Sequence, residues 1–138
     1  MRDVKRPGRE KGQSIAELAL LLPVLILILL GCLDLGRAFS VWVALTNGTR
    51  EGARYGCAYP PTTLEKKLEI ESRTQDYILG EGLSADALHV GVSSAVAGGQ
   101  PIAVTAIYSL PLTTMWLFGG QPVTITARTQ MQILPGGL

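Results

Sequence analysis

The residue types that could do chemistry are few, and their spacing works against most of it. His89 is the only histidine, and it falls inside an alternating apolar and polar stretch. Neither a His-based metal cluster nor a Ser-His or Cys-His nucleophile can be assembled around it. Cys32 and Cys57 form no CxxC and stand 25 positions apart, roughly 37 Å along a continuous helix, too far to bridge within one chain. Glu65, Glu69, Glu71 and Asp76 alternate with Lys66, Lys67 and Arg73, the pattern of a solvated helix face rather than of a poised acid and base. There is no phosphate-binding glycine loop. The chain is therefore expected to be no enzyme and to take no metal, cofactor or small-molecule substrate. A net charge of +1 without a basic patch in the C-terminal part argues against a nucleic-acid partner.

One acid stands apart. Glu17 sits near the head of the run Leu18 to Leu33, which reads LALLLPVLILILLGCL and carries no charge. With Ile15 and Ala16 the segment has about 19 residues, roughly 28 Å as a helix against a hydrocarbon core of about 30 Å. A soluble helix shows an apolar stripe and a polar face; this one is apolar all round. It reads as a membrane span over about 15–35, with membrane lipid as its first partner. A carboxylate at that depth costs on the order of 2.5–3.5 kcal/mol, less near a helix end. Snorkelling to the headgroups or protonation would lower the cost. So would a partner: if the chain were cut after Gly12, Gln13 would carry a new α-amine at the depth of a neighbouring chain's Glu17. The two charges would then satisfy each other and fix the register between subunits.

The flanks give the span a direction. Residues 1–12 hold Arg2, Lys5, Arg6, Arg9 and Lys11 against Asp3 and Glu10, a net +3. The positive-inside rule places this end in the cytoplasm and the rest across the membrane. A secretory signal peptide would be shorter and would end in a small-x-small site; here Asp34, Leu35, Gly36 and Arg37 follow in helical rhythm. Leu29-Leu30-Gly31-Cys32 resembles a lipobox, so a lipoprotein anchored at Cys32 is one alternative. An uncleaved single-pass protein with a binding or sensing head is another.

The elements that position these residues follow in order. The helix is expected to begin near Ser14 and to be kinked or loosened at Pro23, which cannot bond the Ala19 carbonyl. Asp34 and Arg37 are spaced to pair, and Phe39 and Trp42 suit an interfacial belt. Ala44, Gly48, Gly52 and Gly56 fall on one face at four-residue spacing. Glycines there cost about 1 kcal/mol each against alanine in a solvated helix, so that face is expected to meet another backbone closely, either the head's own sheet or a neighbouring subunit. Arg50, Glu51 and Arg54 lie opposite. Pro60 and Pro61 end the helix, and Thr62 with Glu65 predicts a capping box opening a second helix that Gly80 closes. That helix is expected to bury Leu64, Leu68, Ile70, Tyr77 and Ile78. From Leu88 the period becomes two, over 88–93, 102–108 and 123–133, predicting three half-buried strands with a hairpin at Gly98-Gly99. The segment Leu110 to Gly120 is too apolar for an ordinary connection. It either folds over the open end of the small core or makes an outward contact with a subunit or the lipid leaflet.

Basic leader, glycine, four residues, glutamate and a leucine-rich helix resemble the N-terminus of type IV prepilins and pseudopilins. More narrowly, GQSIAELALLLPVLILILLGCLDLGRAF with TNGTREGARYG resembles TadE-like proteins of tight-adherence (Flp) pilus systems. The resemblance implies cleavage between Gly12 and Gln13 by a prepilin peptidase and identifies Glu17 as the assembly glutamate. It implies as partners other pilin subunits and the pilus assembly machinery, in the cytoplasmic membrane. Leu18 stands where major Flp pilins carry tyrosine, which favours a minor pilin or pseudopilin. The fold expected is α+β and pilin-like: a leader over 1–12, a helix over 13–57, and a head over 58–138 of one helix and a three-stranded, mostly antiparallel sheet.

Overall fold

The computed structural model describes residues 9–94, 101–114 and 119–133. A single helix, α1 (Arg9–Ala58), runs the length of the molecule. It starts five residues before Ser14, because Arg9, Glu10 and Lys11 are good helix formers and nothing in them breaks the pattern. It continues as one element through Pro23. Its apolar half is bare: Leu20 and Leu25 are about three-quarters and two-thirds exposed. One helix of the described residues is long and apolar enough to cross a membrane, and almost none of its most apolar window is buried against the rest of the chain.

The head wraps the other half of α1. After Pro60 and Pro61 comes α2 (Leu64–Gly80). Its cap is Thr63, one residue later than the Thr62–Glu65 box predicts. Thr63 Oγ1 accepts the Lys66 N–H at 3.4 Å, which puts lysine, not glutamate, at the third helical position, so the box does not form. Glu65 instead lies in the first turn, where the helix dipole favours an acid. α2 ends at Gly80, but the left-handed turn residue is Gly82 (φ 85°). Its buried face also differs from the expected one. Ile70, Thr74 and Ile78 are buried, whereas Leu64, Leu68 and Tyr77 are exposed. Four-residue spacing makes a narrow stripe, and only that stripe faces α1.

A short 3-10 turn (Ala85–Ala87) leads into β1 (Leu88–Ser94), followed by β2 (Pro101–Leu110) and β3 (Val123–Gln132). The sheet order is β1-β2-β3 and both pairings are antiparallel, with Val92 opposite Val104 and Ala106 opposite Ala127. The Gly98-Gly99 hairpin falls outside the described residues. Glu71 of α2 accepts the Val92 N–H at 3.0 Å, closing the outer edge of β1 at that point.

Two apolar clusters hold the head to the helix. The lower gathers Val41, Leu45, Ile78, Leu88, Ala106, Tyr108, Leu110 and Ala127; the upper gathers Ala53, Ile70, Val92, Ile102, Val104 and Ile133. Leu45, Ile70, Ile78 and Ile102 are wholly buried, each contributing about 1.5–3 kcal/mol. Leu110 and the half-buried Leu112 close the lower cluster; Met115 to Phe118 lie outside the described residues. Because α2 and β2 run down toward the membrane half of α1, the α2–β1 connection and residues 111–114 after β2 form the foot of the head.

Candidate functional site

Gly12, Gln13 and Glu17 occupy the first turns of α1, all exposed. The helix puts Gln13 and Glu17 on one face, and Gln13 Nε2 donates to Glu17 Oε1 at 3.2 Å. Within the single chain this is the partner that lessens the cost of an acid next to an apolar run. Pro23 lies one and a half turns further along. Cys32 is exposed on the bare half of α1.

The glycine face meets α2. A side chain at Gly48 would collide with Ile78, one at Gly52 with Thr74, and one at Gly56 with Ile102 and, at 3.2 Å, Ile70. The two helices run antiparallel in matched steps of four, 48 against 78, 52 against 74 and 56 against 70. Ala44 is buried below them. Thr74 sits where it does because its hydroxyl donates back to the Ile70 carbonyl at 2.7 Å, leaving no unsatisfied polar atom in the contact. Of the two partners the spacing left open, the structure places the head against these glycines, and chiefly the head's helix rather than its sheet. No apolar pattern points to Thr74, a polar residue in the middle of the stripe.

The most heavily bonded acid is Asp34, at the end of the apolar run. It is 5% exposed. Its carboxylate accepts the Thr113 N–H at 2.7 Å, the Thr114 N–H at 2.8 Å and the Thr114 hydroxyl at 2.7 Å. Arg37 Nη1 lies 3.8 Å from it and donates to Thr113 Oγ1 at 3.1 Å. Spacing alone pairs Asp34 with Arg37; the structure makes that contact secondary to a cradle supplied by residues 79 and 80 positions away. An all-donor cradle fits the ionised acid. In Asp34→Ala the two amides lose their acceptor, and their hydrogen exchange is expected to speed up by roughly tenfold or more. Unchanged exchange at Thr113 and Thr114 would show that the cradle does not hold the turn.

The remaining candidates lie apart from one another. Between α1 and α2 an open cleft of about 520 Å³ is lined by Glu51, Tyr55, Arg73, Asp76 and Tyr77. Tyr55 and Arg73 are engaged with each other and with Glu69 beside the cleft: Tyr55 donates to Glu69 at 2.6 Å, Arg73 lies 4.2 Å over the Tyr55 ring, and Arg73 reaches Glu69 at 3.6 Å. Cys57 is half-buried with its thiol toward the Gln132 carbonyl at 3.7 Å, and burial raises its pKa, which lowers its reactivity. Among the described residues no cluster of three or more His, Cys, Asp or Glu could hold a metal ion.

Residues 12–54 match the family model described as TadE-like protein. The matched stretch runs from the glycine junction through the apolar run to the part of α1 that carries Gly48 and Gly52, and it stops before α2 and the sheet. No curated protein and no solved structure matches the chain.

Proposed function

We propose that the chain is a minor pilin or pseudopilin of a tight-adherence pilus system, made as a membrane-anchored precursor and cut between Gly12 and Gln13 by a prepilin peptidase. The observation that carries the reading is the placement of one acid, Glu17, at the head of a bare apolar helix within the TadE-like stretch. Membrane anchoring follows from the helix itself. In this reading the basic end lies in the cytoplasm, the head on the far side, and Glu17 receives the Gln13 amine of a neighbouring subunit. Gln13 already donates to Glu17 within one chain, so docking would exchange a neutral donor for a charged one, and charge-assisted bonds are about twice as strong. Pro23 would serve as the weak point at which α1 yields when a subunit leaves the bilayer. The glycine face is taken up by the head's own α2, which leaves the opposite faces of α1 for packing against other subunits.

The test is the mass of the protein purified from its host. A chain starting at Gln13 supports the reading. An intact basic end in cells that form normal pili overturns it in favour of an uncleaved single-span protein, and a lipid-modified Cys32 overturns it in favour of a lipoprotein. Gly12→Leu is expected to leave insertion intact and to abolish the shortened product; a normal shortened chain in that variant would refute the cleavage site.

A further inference from the structure

The foot of the head is fastened at the level where the apolar run ends. Leu33 closes that run, and the next residue, Asp34, is gripped by Thr113 and Thr114 within 2.7–2.8 Å. No spacer separates span from head. A bilayer about 40–45 Å thick with a core of about 30 Å has a headgroup layer of roughly 5–8 Å on each side. Asp34 lies at the inner boundary of that layer if Ile15 to Leu33 fills the core, so the β2–β3 connection at Thr113 and Thr114 must lie within it. Phe39 is about 7.5 Å further along α1 and Trp42 about 12 Å. Helical side chains lean back toward the N-terminus, here toward the bilayer. Leu35, Phe39 and Trp42 are all exposed, on a face that continues the bare stripe of Leu25, Ile28 and Cys32, and the rings of Phe39 and Trp42 lie 6.0 Å apart.

We infer that this foot is a lipid-binding surface: the head sits in the headgroup layer instead of standing off on the stalk, with Arg37 on phospholipid phosphate and Phe39 and Trp42 in the interfacial belt. The foot also carries an acid: Glu81, at the end of α2, is exposed and shares a cleft with Arg37, so the fit to phosphate rests on the free N–H groups of Arg37 and on how Asp34 is held. An acid at the core boundary would repel lipid phosphates, but the Asp34 carboxylate is occupied by three donors from the head. Arg37 is half exposed on its side chain and spends one N–H on Thr113 Oγ1. A guanidinium has five, in a fork that matches phosphate geometry. Amphipathic rings at this depth are the usual anchors of a membrane helix. The Asp34 cradle thus does two things at once: it turns a still-ionised carboxylate inward to donors of the head, away from lipid phosphate, and it sets the tilt of the head against the bilayer.

The inference rests on the membrane-span reading, and the experiment separates the two. The full chain is placed in phosphatidylcholine vesicles with Trp116→Phe, leaving Trp42 as the sole tryptophan. Emission from Trp42 is expected to be quenched more strongly by a spin label on the lipid headgroup than by one deep in the acyl chain. In a second sample, with Trp42→Phe and Trp116→Phe, the Leu25→Trp reporter is expected to show the reverse order. In phosphate-free buffer, a 13C–31P dipolar contact is expected between the Arg37 guanidinium carbon and lipid phosphorus, lost in Arg37→Gln. If the Leu25→Trp reporter is quenched as expected while Trp42 responds to neither label and the phosphorus contact is absent, the seat on the lipid is wrong and the span stands. If neither reporter is quenched, the span itself fails and the seat fails with it.

Discussion

Gly52→Ala will lower the melting temperature of the head, although alanine is the better helix former. At an exposed helical position the same change stabilises by up to about 1 kcal/mol. At Gly52 the added methyl would meet the Thr74 hydroxyl and approach Thr74 Cβ at 3.2 Å. Thr74 cannot swing away cheaply, because its hydroxyl is bonded to the Ile70 carbonyl and the residue is about 1% exposed. Relief therefore requires α2 to move off α1, loosening Ile70 and Ile78 on either side. Overpacking of this kind costs about 1–3 kcal/mol, and one kcal/mol shifts a domain of this size by roughly 4–8 °C. Gly52→Leu should go further and detach α2 altogether. The three glycines rank by what they would meet. Gly56→Ala meets the Cδ1 end of Ile102, which can rotate, and should be the mildest of the set; Gly48→Ala meets Ile78 nearer its branch point. Gly36 has nothing within 4 Å of the added carbon, so Gly36→Ala should match or exceed the parent. Calorimetry of the full chain in detergent reads all five. Equal melting temperatures for Gly52→Ala and Gly36→Ala would mean that the glycine face is not a close helix contact.

That face was visible in the sequence as a spacing, and its partner was not. Four-residue steps of Ala44, Gly48, Gly52 and Gly56 demand a nearby backbone for a reason internal to the helix, the cost of uncompensated glycine. Nothing local says which backbone. The partner, α2, meets them through Ile70, Thr74 and Ile78, and the middle one is polar. Reading α2 for its large apolar residues put Leu64, Leu68 and Tyr77 in the core, where the structure leaves them exposed. A helix that meets one smooth face of another buries a stripe one residue wide, and hydrophobicity summed over its circumference blurs so narrow a stripe. The strands were easier, because a sheet covered on one face by helices imposes strict alternation. β2 buries Ile102, Val104, Ala106, Tyr108 and Leu110 in that rhythm, with only the small Ala103 buried out of phase. β3 has the same period but buries little besides Ala127, since an edge strand has fewer neighbours to cover it.

The Asp34 cradle shows where reading by spacing stops. An acid followed three residues later by an arginine invites a local pair, and that pair exists at 3.8 Å. The shorter bonds come from two backbone amides that no side-chain pattern announces. The only trace in the sequence is Pro111 followed two residues later by Thr113-Thr114, a turn whose N–H groups have no strand to bond once β2 has ended. The N-terminal region is the opposite case. The role proposed for Glu17 rests on its solitude in the run, and among the described residues the fold of one chain adds to it a hydrogen bond from Gln13. What a lone subunit leaves exposed over Ile15 to Leu33 is what other molecules must cover, whether lipid or another helix.

Glu17→Leu tests that assignment with the largest effect expected on function. Leucine extends the apolar run and removes a cost on the order of 2.5–3.5 kcal/mol at bilayer depth, less this close to the helix end. Insertion should therefore improve or stay the same, and cleavage after Gly12 should proceed. Only the step that needs the acid should suffer. An amine carried into the membrane to meet a leucine is a buried charge without a partner, and breaking one side of such a pair costs about 3–5 kcal/mol. At about 1.4 kcal/mol per factor of ten, incorporation of the mature subunit into pili, or whatever pilus yield depends on it, should fall by roughly two to three and a half orders of magnitude. Glu17→Gln separates charge from shape: it keeps the length and the Gln13 contact face and removes only the anion. If docking is ionic, its loss should approach that of leucine; if Glu17 acts through hydrogen bonding, glutamine should retain much of the parent's yield. Normal incorporation of both variants, with the shortened chain present in the membrane, would remove Glu17 from assembly and leave its place at the head of the run to be explained by snorkelling alone.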